Sequence, residues 1–127
     1  MKKRETFYVC KRCGNIIVKV VDGGVPVMCC GQKMEAIEPN TFDAAGEKHV
    51  PVIQIDGNVV RVTVGEVIHP MEEDHFIQWI YLVTAKGVQA KCLKPGEEPL
   101  ATFALEDDEA IAALEYCNKH GLWRAEA

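Results

Sequence analysis

Cysteines are the feature that most limits how the start of this chain can fold. Cys10 and Cys13 form a Cys-x-x-Cys pair, and Cys29 and Cys30 follow as an adjacent pair. Two thiolates separated by two residues can close on one metal ion through a tight turn, and Gly14 directly after the second cysteine suits such a turn. The four sulfurs therefore predict a tetrahedral metal site.

Two other interpretations of these cysteines remain open at this point. Cys10 and Cys13 could form a redox-active disulfide, or the set could be a structural zinc ribbon. Zinc ribbons usually place two residues between the second pair of cysteines, whereas Cys29 and Cys30 are neighbours, so we expect a distorted tetrahedron. Four sulfur ligands suit zinc or iron, and the spacing does not decide between the two metals.

Length and charge exclude several classes of protein. The 127 residues correspond to one domain, or to one domain with a small appendage, and 14 basic against 19 acidic residues give a net charge of −5. An acidic chain is unsuited to general binding of nucleic acid or of anionic membranes. The N-terminal sequence MKKRETFYVC lacks the apolar region of a signal peptide, so we expect a cytoplasmic protein whose reduced thiols hold metal.

The first segment, predicted as a domain over residues 1–37, contains short strand patterns. These are TFYVC, NIIVKVV and VPVM, with a turn at Asp22-Gly23-Gly24 between the last two. A piece of roughly 37 residues buries too little apolar surface to fold alone, so it needs a metal, disulfides or a partner subunit. The stretch EPNTFDAAGEK, rich in small and polar residues, is the predicted linker.

Residues 38–127 are predicted to form a second domain, an antiparallel sandwich or barrel. The strand patterns are VPVIQI, VVRVTVGEV, FIQWIYLVTA, VQAKCLK and LATFAL, separated by turn signals such as Asp56-Gly57-Asn58 and Lys86-Gly87. For EDDEAIAALEY, helix propensity favours a short helix, whereas an all-β context favours a strand. Its boundary stays open.

A second group of candidate metal ligands combines the four histidines of the chain with Cys117. The histidines lie at strand ends or in loops, where side chains from a rigid scaffold can converge; they are His49, His69, His75 and His120. Four imidazoles and one thiolate are too many ligands for tetrahedral zinc. Such a set suits a five-coordinate transition metal, iron for example, with its sixth position open to a small ligand.

These motifs together resemble the two-iron superoxide reductases, also called desulfoferrodoxins. The matching stretches are Cys10-x-x-Cys13-Gly14-Asn15, Cys29-Cys30-Gly31, Glu47-Lys48-His49-Val50-Pro51, His69-Pro70-Met71-Glu72, His75 with Trp79-Ile80, and Cys117-Asn118-x-His120-Gly121-x-Trp123. The resemblance implies a mainly β protein: a small desulforedoxin-like metal domain followed by an immunoglobulin-like antiparallel sandwich of seven strands. It also implies a homodimer.

The resemblance further implies two iron ions per chain and a reaction, the one-electron reduction of superoxide to hydrogen peroxide in superoxide detoxification. Iron centre 1 would be bound by Cys10, Cys13, Cys29 and Cys30. Iron centre 2 would have His49, His69, His75 and His120 as equatorial ligands and Cys117 as the axial thiolate. Because Cys117 and His120 would then bind the iron from different directions, we expect a turn near Cys117 after a strand. The electrons would come from a rubredoxin-like donor.

Three residues outside the two ligand sets carry separate expectations. Lys48 is expected to attract the anion and to order a water that delivers a proton, because a cation near an exposed metal focuses a local field; a merely solvated Lys48 is the alternative. The resemblance implies that Glu47 closes the sixth position of the resting ferric ion. Cys92 matches no ligand position and is expected to be buried or half-buried in a strand.

Two further readings compete with the enzyme. In one, both metal groups are purely structural; in the other, the chain is an electron carrier that uses only the first site. The loop residues Glu72, Glu73 and Asp74 are expected to form a solvated face.

Overall fold

The structure is a computed structural model that describes residues 5–41, 49–65, 67 and 69–127. The chain divides into two compact units, Met1–Glu38 and Pro39–Ala127. Every regular element within the described residues is a β-strand, so a mainly β fold is confirmed. Among these residues no helix is long and apolar enough to cross a membrane.

The first unit consists of five short strands. They are β1 (Phe7–Val9), β2 (Ile16–Val18), β3 (Met28–Cys29), β4 (Gln32–Lys33) and β5 (Glu35–Ile37). One antiparallel sheet has the order β2-β1-β5, and β3 and β4 form a separate two-stranded ribbon. Among its described residues the buried apolar side chains are only Phe7, Cys10 and Met34. So small a core needs further stabilisation, and a metal site can supply it.

The prediction of a strand over VPVM is largely wrong. Only Met28 of this stretch lies in a strand. Pro26 has no N–H to donate to a strand partner, which limits pairing at this point. The turn before it is as predicted, since the Asp22 carboxylate accepts a hydrogen bond from the Gly24 N–H at 2.8 Å and Gly24 has a φ of +86°.

The second unit contains seven strands in the part that the structure describes. They are β6 (Pro51–Asp56), β7 (Val59–Val64), β8 (Ile77–Thr84), β9 (Val88–Cys92), β10 (Leu100–Ala104), β11 (Ala110–Cys117) and β12 (Gly121–Glu126). They form two antiparallel sheets with the orders β10-β7-β6 and β12-β11-β8-β9. The expected immunoglobulin-like sandwich is confirmed.

Apolar side chains from both sheets form the core of this unit. In β7, Val60, Val62 and Val64 are buried while Arg61 between them is exposed, which is the period of two expected of a strand with one covered face. The other members come from β8, β10 and β11 and from the segments that follow β9 and β10: Ile77, Ile80, Leu82, Leu93, Ala101, Phe103, Leu105, Ala113 and Cys117. Cys117 thus belongs to both the core and the candidate metal site.

The helix favoured by propensity for EDDEAIAALEY is not formed. Residues 110–117 are strand β11, which pairs with β8 on one side and β12 on the other. Four successive residues of β11, from Ala112 to Glu115, are buried because the strand is central in its sheet. The sequence therefore lacks the alternation that would have distinguished a strand from a helix. The strand ends at Cys117 and a turn follows, as the ligand set had suggested.

Cys92 lies in a strand, as expected, but it is exposed. It is the last residue of β9, which is exposed at each of its five positions and pairs with β8. As the last strand in the order of its sheet, β9 has no strand on its other side among the described residues. The expectation of a buried or half-buried thiol was therefore wrong.

A carboxylate fixes the start of β11 against the end of β8. Asp108 accepts hydrogen bonds from the Thr84 hydroxyl at 2.6 Å, from the Glu109 N–H at 2.8 Å and from the Lys86 N–H at 3.0 Å. The Thr84 hydroxyl makes the largest contribution to lowering the pKa of the Asp108 carboxyl. Because the folded state favours the ionised form, this carboxylate stabilises the fold at pH values above 3.8, the ordinary pKa of the group. The stabilisation is lost as the pH falls through the lower pKa of the folded state.

Replacing Asp108 by Asn should lower the melting temperature at pH 7, because the two backbone N–H groups and the hydroxyl lose a charged acceptor. Asp107→Asn is the matched control, since Asp107 is exposed and its ion pair is with exposed Lys86. We expect a clearly larger decrease for Asp108→Asn, which should shrink as the pH falls below about 4. Thermal unfolding followed by circular dichroism measures this, and equal effects of the two variants would contradict it.

Candidate metal centres

The four cysteines of the first unit converge as predicted. Their Sγ atoms all lie within 4.8 Å of one another, and those of Cys13 and Cys29 are 3.6 Å apart. The Cys-x-x-Cys turn is closed by two backbone hydrogen bonds, from Gly14 N–H to the Cys10 carbonyl at 2.8 Å and from Cys10 N–H to the Asn15 carbonyl at 2.9 Å. Gly14 has a φ of +85°, which explains the need for glycine here.

The adjacent pair is accommodated by an unusual backbone conformation. Cys30 has a φ of +52°, a left-handed conformation that non-glycine residues rarely adopt, and Gly31 continues it at +76°. The two residues lie in the connection between β3 and β4. Such a conformation costs on the order of 1 kcal/mol and persists only where the surroundings impose it. The backbone strain of directing two neighbouring sulfurs towards one metal position is thus located at Cys30.

The thiols of this site differ in how readily they lose a proton. The Cys13 backbone N–H lowers the pKa of the Cys10 thiol to about 6, whereas the neighbouring sulfurs raise the pKa of Cys30 to about 12. Four thiolates this close repel one another unless a cation lies between them. The donor set fits an ion that binds four thiolates, as zinc and iron do.

The second cluster assembles five donor residues at one end of the sandwich. His49 precedes β6, His69 and His75 precede β8, Cys117 ends β11, and His120 lies in the turn before β12. One donor atom of each lies within 4.8 Å of the others. His49, His69 and Cys117 are buried, His75 is half-buried and His120 is exposed, so the cluster is at the surface of its unit.

The four imidazoles form a closed ring of neighbours. Successive ring centroids are 4.7–5.0 Å apart in the order His49, His69, His75, His120 and back to His49. Adjacent ring planes are steeply inclined, at 65–81°. Four nitrogens on a ring with one sulfur beside it match a square-pyramidal ligand set better than a tetrahedron.

Hydrogen bonds indicate which nitrogen each ring offers. His69 donates from Nδ1 to the Pro70 carbonyl at 2.7 Å, which leaves its Nε2 with a free lone pair. Nε2 of His69 and Nε2 of His75 are buried without a hydrogen-bond partner in the described part of the chain. His120 instead presents Nδ1, at 3.0 Å from His49 Nε2 and 3.6 Å from Cys117 Sγ. Buried lone pairs that converge in this way fit a bound metal ion.

Burial sets the protonation states in this cluster. It lowers the pKa of His69 to about 4 and also lowers that of His75, and the neighbouring imidazoles add to both effects. His69 and His75 are therefore neutral at pH 7, the form that binds metal. Burial raises the pKa of the Cys117 thiol, so a metal ion must displace its proton on binding.

Asn118 connects the two segments that carry His75 and Cys117, a role that the sequence did not reveal. Its side-chain oxygen accepts a hydrogen bond from the Phe76 N–H at 2.9 Å, and its side-chain nitrogen donates to the Asp74 carbonyl at 3.1 Å. The available signals were its position between two predicted ligands and its place in the matching stretch Cys117-Asn118-x-His120. The side chain thereby fixes the loop before β8 to the turn after β11.

Of the other residues with predictions from the sequence, some lie outside the described part of the chain and some lie within it. Glu47 and Lys48 lie outside the described residues. Glu72, Glu73 and Asp74 are exposed, as expected of a solvated face.

Replacing Asn118 by Ala should weaken metal binding at the histidine and cysteine cluster about tenfold or more, because partners that orient metal ligands typically contribute this much. Titration of the metal-free protein with Fe²⁺ against a chelator, under anaerobic conditions, measures the affinity. Lys119→Ala is the control, since the Lys119 side chain is half-exposed and only approaches Asp74 at 3.9 Å. Equal affinities of the two variants would show that Asn118 does not organise the site.

Known proteins match this chain over its full length or nearly so. The chain is 47% identical over 127 residues to a desulfoferrodoxin of Nitratidesulfovibrio vulgaris, covering all of both chains. It is 50% identical over 128 residues to one of Desulfarculus baarsii, covering 99% of each. A crystal structure of the superoxide reductase from Treponema pallidum superposes with a TM-score of 0.84 at 37% identity, covering 98% of this chain and all of the other.

The model of the desulfoferrodoxin family matches residues 41–126, a range that contains all five residues of the second cluster. The cysteine cluster of the first unit precedes this range and lies within the full-length matches. The chain belongs to the desulfoferrodoxin family.

Proposed function

We propose that this protein is a superoxide reductase, which reduces superoxide by one electron to hydrogen peroxide. The observation that carries the proposal is the closed ring of four imidazoles with the Cys117 thiol beside it. A metal site with a purely structural role does not need five metal ligands at the surface of the unit. The cofactors are two iron ions per chain, one at the four cysteines and one at the second cluster.

Each ligand has a distinct role in this proposal. A ferrous ion bound at the second cluster would supply the electron and a coordination position open to a small ligand. His49, His69, His75 and His120 would hold this ion through their imidazole nitrogens. Burial lowers the pKa of His69 and of His75, so these two imidazoles are neutral at pH 7 and add no positive charge to the site. Cys117 would hold the ion through its thiolate, and the Lys119 and His120 backbone N–H groups, which act against the rise in its pKa, stabilise that thiolate.

Lys48 and Glu47 are proposed to serve the open side of the site. Both directly precede the ligand His49 in the sequence. A net charge of −5 repels superoxide from the chain as a whole, so a local cation is needed to attract it. Lys48 supplies that cation and orders a water that delivers a proton. Glu47 would close the open side of the site with its carboxylate when no substrate is bound.

The four-cysteine iron is proposed to hold or transfer an electron. Its four sulfur ligands leave no open position for a substrate. We assign residues 1–37 to this domain and residues 38–127 to the catalytic domain. Reduction without dismutation needs an external electron donor, and a rubredoxin-like protein is our candidate. Cys13 and Cys30 are exposed, which favours electron transfer at the surface.

A homodimer is also proposed, on the basis of apolar side chains that the first unit leaves uncovered. Val20, Val21 and Val25 are 95%, 84% and 68% exposed. A unit with so few buried side chains gains stability by covering such residues with a second copy. The cytoplasm is the proposed location, because all six cysteines are free thiols.

Metal analysis combined with turnover tests the enzyme against its two rivals. We expect two irons per chain, and consumption of superoxide by the reduced protein with peroxide formed and no matching release of oxygen. Cys117→Ser should remove the thiolate-to-iron absorption band of the oxidised second centre while leaving the four-cysteine centre intact. Colourless protein with one zinc per chain would support a structural module. One iron per chain without superoxide consumption would support an electron carrier.

Lys48→Ala should slow the encounter with superoxide and weaken its dependence on ionic strength, because the attracting charge is removed. Rapid-mixing kinetics over a range of salt concentrations measures both effects. Lys86→Ala is the charge-matched control, since Lys86 is exposed and paired with Asp107. If both variants react at the same rate, Lys48 is only a solvated surface residue.

A further inference from the structure

Trp123 is in contact with two of the five residues of the second cluster. Its indole ring stacks on the His49 imidazole, with centroids 4.7 Å apart and an interplanar angle of 15°. Its Nε1–H donates a hydrogen bond to the His120 carbonyl at 3.1 Å. His49 and His120 come from parts of the chain 71 residues apart. One side chain therefore connects two neighbouring members of the imidazole ring.

The backbone of Trp123 is held on both sides. Within its sheet it pairs with Glu115 of β11. On its other edge it forms a bridge with Asn40, whose N–H donates to the Leu122 carbonyl and whose carbonyl accepts from the Arg124 N–H, each at 2.9 Å. Trp123 is only 9% exposed. A side chain on so well fixed a strand can define the plane of a ring that it stacks on.

His49 depends on such a contact more than a ligand within a strand would. It lies before β6 and outside any strand of the described chain. The other rings it adjoins, His69 and His120, meet it at 65° and 68° and are themselves in the cluster. The indole is the ring that lies parallel to it.

The stack also has an electrostatic consequence once a metal is bound. The face of an indole carries negative charge density and attracts cations, more strongly than a phenyl face does. A neutral imidazole that binds a metal ion becomes electropositive, and more so for a trivalent than for a divalent ion. Stacking on Trp123 therefore stabilises the ferric form of the site more than the ferrous form.

We propose that Trp123 is a positioning residue of the second iron centre, which fixes the plane of His49 and the turn of His120 and biases the iron towards its ferric state. This rests on the proposed function only in that iron occupies the cluster. A bias towards the ferric form increases the driving force for giving an electron to superoxide. No contact between Trp123 and substrate is involved.

The test is the midpoint potential of the second centre, followed by its own absorption in a spectroelectrochemical titration of the full-length, iron-loaded protein. Trp123→Leu removes both the aromatic face and the N–H. We expect the ferrous form to be favoured about tenfold more than in the wild type, an upward shift of 59 mV for one electron. Trp123→Phe retains a weaker face and should shift the potential in the same direction by less.

Trp79→Leu is the matched control, because it removes a tryptophan whose indole is stacked on Tyr116 and adjoins Tyr81. Its potential should equal that of the wild type. An unchanged or lower potential in iron-loaded Trp123→Leu would overturn the inference, and Trp123→Phe decides if the Leu variant does not retain iron. Failure of the proposed function would instead appear in the wild type, as absence of iron from the cluster or of superoxide consumption.

Discussion

The pairing of β11 with its two neighbours is the interaction on which the catalytic unit depends. Antiparallel pairing sets the end of β11 beside the start of β8 and the start of β12, with Cys117 opposite both Ile77 and Gly121. The segment before β8 carries His69 and His75, and the turn before β12 carries His120. The sheet that buries the core therefore also collects four of the five donors at one end. Damage to this pairing would affect both the fold and the site.

Each of the two metal centres carries an energetic penalty without its metal, but the physical cause differs between them. In the four-cysteine site the difficulty is repulsion between thiolates, and the strained backbone at Cys30 shows that the geometry is imposed. In the second site it is burial, because lone pairs on His69 and His75 lie in the interior without a hydrogen-bond partner among the described residues. A cation offsets both penalties, so metal binding and folding should be thermodynamically linked in each unit.

Much of the site could be predicted because its donors are rare residue types in distinctive positions. Cys10 and Cys13 are recognisable from local spacing, and Gly14 from the turn that such spacing requires. The strand β11 could not be predicted with the same ease, since a central strand buried on both faces has no alternation to distinguish it from a helix. Cys92 was misplaced for the opposite reason. Its apolar character suggests burial, but its strand lies at the edge of the sheet, which only the strand order reveals.

By itself the sequence determined the chemistry: four thiols for one centre, four imidazoles and a thiol for the other, and mostly alternating strands to carry them. The tertiary structure decided the order of the imidazoles around their ring, the use of Nδ1 by His120 and Nε2 by the others, and the contacts of Asn118 and Trp123. The physical reason is distance along the chain. Residue type and local spacing are encoded locally, whereas the angle between two rings 71 residues apart depends on how the strands between them pair and pack.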